Sequence, residues 1–265
     1  MTEDIKRDRW GRPLIAPPDG GKPVGYTRVS TLAKTLDNKE QLMRWKCRQT
    51  ALGLGKRTDL VAMAGAVGDD KGKLDEIVAE AMSAAASNAA ANLGTTLHAL
   101  TEHVDAGTKP DYLPPELIGD LTAYEEAMRG ISILGSEKFI VNDDVQAAGT
   151  FDRLLLVPGV GMVVADIKTG QHEPNYPHAV CIQVATYARG HLYDQDNGRI
   201  KYLPDLGVST EVGVMIWLPA GKARCELYLL DLNLGWELAQ TAARVRDVYK
   251  SKPLTLHTGD HQAVG

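Results

Sequence analysis

The chain has 265 residues, 44% hydrophobic and 24% charged, with 29 Lys and Arg against 34 Asp and Glu for a net charge of −5. Such a chain can fill one sizeable core, and it has no apolar run long enough to cross a bilayer, which excludes a helical membrane protein. Its three cysteines, Cys47, Cys181 and Cys225, form no Cys-x-x-Cys pair, so neither an iron–sulfur cluster nor a structural zinc is expected. A sparse, odd cysteine count without a leader-like start predicts a reducing cytoplasm.

The charge is unevenly spread. Residues 1–60 hold 13 basic against 7 acidic side chains, a balance of +6, and the remaining 205 hold 16 against 27, a balance of −11. A net negative chain argues against nucleic acid, but this split suits a basic contact region beside an acidic centre. We divide the chain into a basic, partly helical region over 1–73, a core over 74–255 and a flexible tail over 256–265.

In chain order, Pro13, Pro17, Pro18 and Pro23 among glycines predict a loosely ordered start. Tyr26 to Leu32 reads as a loop entering a helix, with Ser30 or Thr31 as its cap. Arg28 and Ser30, beside free backbone amides, are the alternative phosphate-binding pair. Lys34 to Arg57 is either a solvated helix face or a DNA-contacting one, with Trp45 assigned to the core from its spacing to Leu42. An alanine-rich helix is predicted from about Leu74 through Ala79–Ala91 to Glu102, placing His98 and Glu102 on one face at i and i+4.

Glu137 falls in the apolar run Ser136–Val141. Phe151–Val157 and Met162–Ile167, separated by Pro158-Gly159-Val160-Gly161, predict a β-hairpin with Asp152 beginning one strand and Asp166 ending the other. The 13 residues between these carboxylates bring them opposite each other in an antiparallel pair. Side chains alternate, so Asp166 and Lys168 share a face. That pair is either a surface ion pair or a metal-holding carboxylate with a catalytic cation beside it; hard divalent ions take oxygen ligands of this kind. A helix from about Ala179 to Leu192 puts Gln183 and Tyr187 on one face.

Taken in order, His98, Gly149-Thr150-Phe151-Asp152, Asp166-Ile167-Lys168-Thr169-Gly170 and Gln183-x-x-x-Tyr187 resemble the motif series of the RecB-like branch of the PD-(D/E)XK nucleases, over about residues 94–190. Tyr26–Leu32 with Leu42-x-x-Trp45 also resembles the corresponding region of phage exonucleases in this branch. The resemblance implies a restriction-endonuclease-like α/β core, a central mixed β-sheet flanked by helices with an N-terminal helical region. It implies magnesium or manganese on His98, Asp152, Asp166 and the Ile167 carbonyl, Lys168 as catalytic lysine, and Gln183 and Tyr187 as active-site helix residues. Glu102 and Glu137 would support the metal from behind or serve as further ligands. The implied activity is a DNA exonuclease of phage recombination, replication or repair, with a recombination or single-strand-binding protein as partner and no membrane. A site-specific endonuclease or junction resolvase, or a non-catalytic DNA-binding partner, are the alternatives. Members of CRISPR-associated type use four cysteines for an iron–sulfur cluster; three cannot, so the cluster-free phage exonucleases are the nearer resemblance.

Overall fold

A computed structural model describes residues 5–85, 89–175 and 177–253; the predicted flexible tail, 256–265, lies outside the described residues. The short strands β1 (Leu14–Ile15), β2 (Val24–Gly25) and β3 (Thr27–Arg28) lead into helices α1 (Val29–Ala33), α2 (Glu40–Lys56), α3 (Thr58–Val67), α4 (Lys71–Ala84), α5 (Ala89–Asp105) and α6 (Ile118–Ala127). Strands β4 (Ser132–Asn142), β5 (Ala147–Val157) and β6 (Gly161–Lys168) follow, then α7 (His178–Ala188), β7 (His191–Asp194), β8 (Gly198–Tyr202), β9 (Val212–Trp217), β10 (Glu226–Asp231) and α8 (Leu232–Val248). The main sheet runs β10-β9-β6-β5-β4-β7-β8, with β3 added beside β5. The β6–β9 and β3–β5 pairs are parallel and the others antiparallel, so the sheet is mixed. The protein is therefore α/β with a central mixed sheet flanked by helices.

Period-two alternation builds both faces. Val163, Ala165 and Ile167 of β6, with Val214 and Ile216 of β9, pack on Leu97 and Leu100 of α5 and Leu121 and Tyr124 of α6. Val164 and Met215 point the other way, into α1, α7 and α8. Each aliphatic side chain so buried contributes about 1.5–3 kcal/mol.

Several local predictions change. Asp152 lies inside β5, which begins at Ala147 rather than at Phe151, because the preceding residues pair with β4 as far as Ala147↔Asn142. Of the single helix expected from about Leu74 to Glu102, α4 and α5 are described, and residues 86–88 between them lie outside the described residues. The helix from Ala179 stops at Ala188 rather than Leu192, and the chain turns tightly into β7 at Gly190, where a Cβ would meet Ile140 Cγ2 at 2.3 Å. Neither Ser30 nor Thr31 caps α1, whose N-cap is Arg28 without a side-chain bond. Trp45 is exposed rather than in the core.

Part of the proline-rich start is packed rather than loose, while residues 18–24 are exposed. Ile5, Ile15 and Tyr26 are buried against Val141, Ala148 and Tyr193. Tyr26 Oη donates to Asp143 Oδ1 at 2.8 Å, Arg199 Nε donates to Asp143 Oδ2 at 2.6 Å, and Arg199 Nη1 donates to the Ala16 carbonyl at 2.8 Å. Burial would raise the Asp143 carboxyl, but Arg199 and Tyr26 outweigh it and hold it below the usual range. A depressed folded-state value stabilises above the unfolded value, near 4, and that gain disappears as pH falls through the folded one. Denaturant unfolding of wild type and Asp143→Asn should differ at pH 7 and converge as pH falls below about 4. A gap that stays constant with pH would remove the charge from the account.

Candidate metal centre and its neighbouring lysine

β5 and β6 are registered only as far as Arg153↔Ala165. Beyond that pair the Asp152 carboxylate fills the place of a backbone acceptor, with Oδ2 taking the Ile167 N–H at 2.6 Å. The same oxygen lies 3.1 Å from His98 Nε2, so α5 and the sheet meet at Asp152. Glu137 stands on β4 between the pairs Ser136↔Arg153 and Lys138↔Phe151. Its φ of 51° is left-handed, a strain of about 1–3 kcal/mol for such a residue, of the kind that gathers at functional sites. Among the described residues, His98, Glu137 and Asp152 form the one group of three whose ligand atoms all lie within 4.8 Å of one another.

On the α7 side of the sheet, Lys168 Nζ is ion-paired with Asp166 Oδ2. Gln183 Nε2 donates to Asp166 Oδ1 at 2.5 Å, and Lys168 Nζ donates to Gln183 Oε1 at 3.5 Å. The expected Asp166–Lys168 partnership and the Gln183 contact are thus both present. Tyr187 is buried, edge-on to Phe151 at 6.5 Å between ring centres. A Cβ on Gly149 would lie 3.0 Å from Tyr187 Oη and 3.4 Å from Val29 Cβ, so the start of α1 adjoins this end of the site. Arg28 and Ser30, on either side of Val29, are exposed. Glu102, one turn from His98 on α5, is exposed and close enough to raise the Glu137 carboxyl.

The electrostatics match a place for a cation. Burial, then the Asp152 charge, push the Glu137 carboxyl up to about 7. Burial also raises Asp166, with Lys168 opposing and Asp152 adding. Asp152 is held low: burial opposes, but the bond and charge of His98 and the Ile167 amide prevail. The same bond raises His98 against its burial, and burial raises Tyr187 well above its ordinary value. The buried Glu137 Oε1 accepts no hydrogen bond, while the Asp166 Oδ2 has the Lys168 ammonium. One imidazole and hard carboxylate oxygens, one of them short of donors, fit a divalent cation.

What the sequence left unassigned is the support behind this group. Arg153 is wholly buried. It is ion-paired with Asp105, donates from Nη1 to the Asp152 carbonyl at 2.8 Å and from Nη2 to Thr101 Oγ1 at 3.0 Å, and lies 3.6 Å from Glu137 Oε1. Thr101 Oγ1 donates to the His98 carbonyl at 2.6 Å, and Tyr124 Oη to Asp105 Oδ1 at 2.9 Å. One guanidinium therefore ties together the backbone or side chain of all three cluster positions. Its place next to Asp152 was the only local signal; Asp105 is 48 residues away. No model of a known protein family and no curated protein matches this chain, so its chemistry has to be read from these side chains.

Proposed function

We propose that this protein is a divalent-metal-dependent nuclease acting on DNA, and within that class an exonuclease. The observation that carries the reading is the adjacency of two clusters at the β5–β6 splay, His98–Glu137–Asp152 and Asp166–Lys168–Gln183. His98, Glu137 and Asp152 would hold magnesium or manganese, with Asp166 and the Ile167 carbonyl the further candidates. When bound, such an ion polarises the phosphodiester and lowers the pKa of a water. Lys168 holds the attacking water or offsets charge building on the phosphoryl oxygens. Gln183 fixes Asp166 and Lys168 in one geometry. Preference for chain ends, action in recombination or repair, a recombination or single-strand-binding partner and a cytoplasmic setting follow from the likeness of the motif order to the RecB-like branch, and belong to the same proposal.

The test is cleavage of end-labelled linear single- and double-stranded DNA beside closed circular DNA, with magnesium, manganese or EDTA. Metal-dependent loss of linear DNA alone is expected. Cutting of the closed circle would make the enzyme an endonuclease, and no cleavage with any metal would overturn the reading. Manganese titration gives a second check: Glu137→Gln should weaken binding by about tenfold or more, and unchanged affinity would place the ion elsewhere.

A further inference from the structure

We propose that the N-terminal half of α2 is a contact surface for an unpaired DNA strand leading to the metal centre, an inference that rests on the nuclease reading. Residues 40–48 are exposed around the whole helix circumference, and the one buried residue of α2 is Gly53, in its second half. There α2 lies so close to α4 that a Cβ on Gly53 would meet the Ala81 carbonyl oxygen at 1.7 Å, while Lys56 Nζ donates to the Ala84 carbonyl at 3.4 Å. The helix is anchored by its C-terminal half and its first turns project.

Two kinds of side chain share the projecting part. Leu42, Met43 and Trp45 are exposed, and Arg44, Lys46 and Arg48 alternate with them along the chain, with Lys39 just ahead. Over residues 39–48 four basic side chains stand with one acidic, Glu40, in a chain of net charge −5. Glu40 is ion-paired with Arg44 at 2.5 Å. A solvated face does not need a tryptophan, a methionine and a leucine, and an apolar partner would leave the cations unmatched. A single strand supplies both complements, phosphates for Lys and Arg and an open base face for Trp45; a duplex hides its base faces.

The position fits. α1 begins against Gly149 and Tyr187, at the edge of the site, and residues 34–39 join it to α2, a span of at most about 25 Å. The projecting half of α2 is the half nearer the site along the chain.

The measurement is fluorescence anisotropy of a labelled oligothymidylate with the full chain in EDTA, where metal-dependent cleavage is silent, across a salt series. Lys46→Glu with Arg48→Glu should weaken binding by about tenfold or more and lower the slope of log K against log salt by about 1.4, two phosphate contacts at 0.7 each. Trp45→Ala should cost about fivefold or more with the salt slope unchanged. These positions are exposed, so folding is preserved, and the neutral pair Lys46→Gln with Arg48→Gln, which removes the same two contacts, should lower the slope by about the same 1.4. Unchanged affinity and slope in all variants would overturn the proposal. So would variants that bind DNA normally but lose a self-association seen by sedimentation, which would assign the surface to a second copy. Cleavage by wild type with unaltered strand binding in the variants would overturn the surface alone. Strand binding lost in the variants of a protein that cleaves no DNA would overturn the nuclease reading and support the surface.

Discussion

Lys168→Ala and Asp166→Asn should each lower metal-dependent DNA cleavage by about a thousandfold or more, about 4 kcal/mol of transition-state stabilisation, in proteins that melt as cooperatively as wild type. The folding part follows from burial. The Lys168 side chain is 38% exposed, so its truncation opens no cavity, although it leaves Asp166, 2% exposed, without its ammonium and so lowers stability without changing cooperativity; asparagine at 166 keeps the size and the Gln183 contact. The chemical part follows from position: Lys168 is the ammonium placed beside the carboxylate cluster, and a cation fixed in advance costs no reorganisation when charge develops. The variants should part in the metal titration. Lys168→Ala should bind manganese as well as wild type, and Asp166→Asn more weakly if its carboxylate reaches the ion. Full cleavage by folded Lys168→Ala would end its catalytic assignment.

Arg153→Met should be the most destabilising single change around the site, by about 3–5 kcal/mol in denaturant unfolding, a large part of the 5–15 kcal/mol typical of a domain. Methionine fills much of the volume, so the cost is electrostatic. The Asp105 side chain, only 6% exposed, would keep the Tyr124 hydroxyl but lose its countercharge. Removing both charges, with Arg153→Met and Asp105→Leu together, should recover most of the loss, because a buried pair replaced by apolar groups is often neutral. Manganese affinity should not recover with it, since the bonds from Arg153 to the Asp152 carbonyl and to Thr101 would still be missing. Recovery of both would reduce Arg153 to a structural residue. A stable single variant would show that Asp105 does not need the guanidinium as its countercharge.

Much of the site was legible because its parts are short-range. Asp166 and Lys168 share a face through strand alternation, and Gln183 meets them because α7 packs on the face of the sheet that Asp166 occupies. The hairpin was legible from two apolar runs around a Pro-Gly break. Glu137, expected behind the metal or as a further ligand, belongs to the three-group cluster. That follows from a left-handed backbone at one position of β4, which no periodicity encodes. Trp45 carries a core-like spacing yet is exposed, because helical spacing states which residues share a face and not whether anything covers it.

The sequence by itself determined the strand and helix periods, the pairing of Asp166 with Lys168, and the absence of a four-cysteine set. Those depend on residue type and on spacings within one element or one hairpin. Tertiary structure alone decided that Ile5 and Ile15 of the proline-rich start are buried against the sheet, that Arg153 is buried on Asp105, and that His98 and Glu137 meet at Asp152. Each of these joins distant segments, and the burial that shifts their protonation exists only once the sheet and α5 have closed over them.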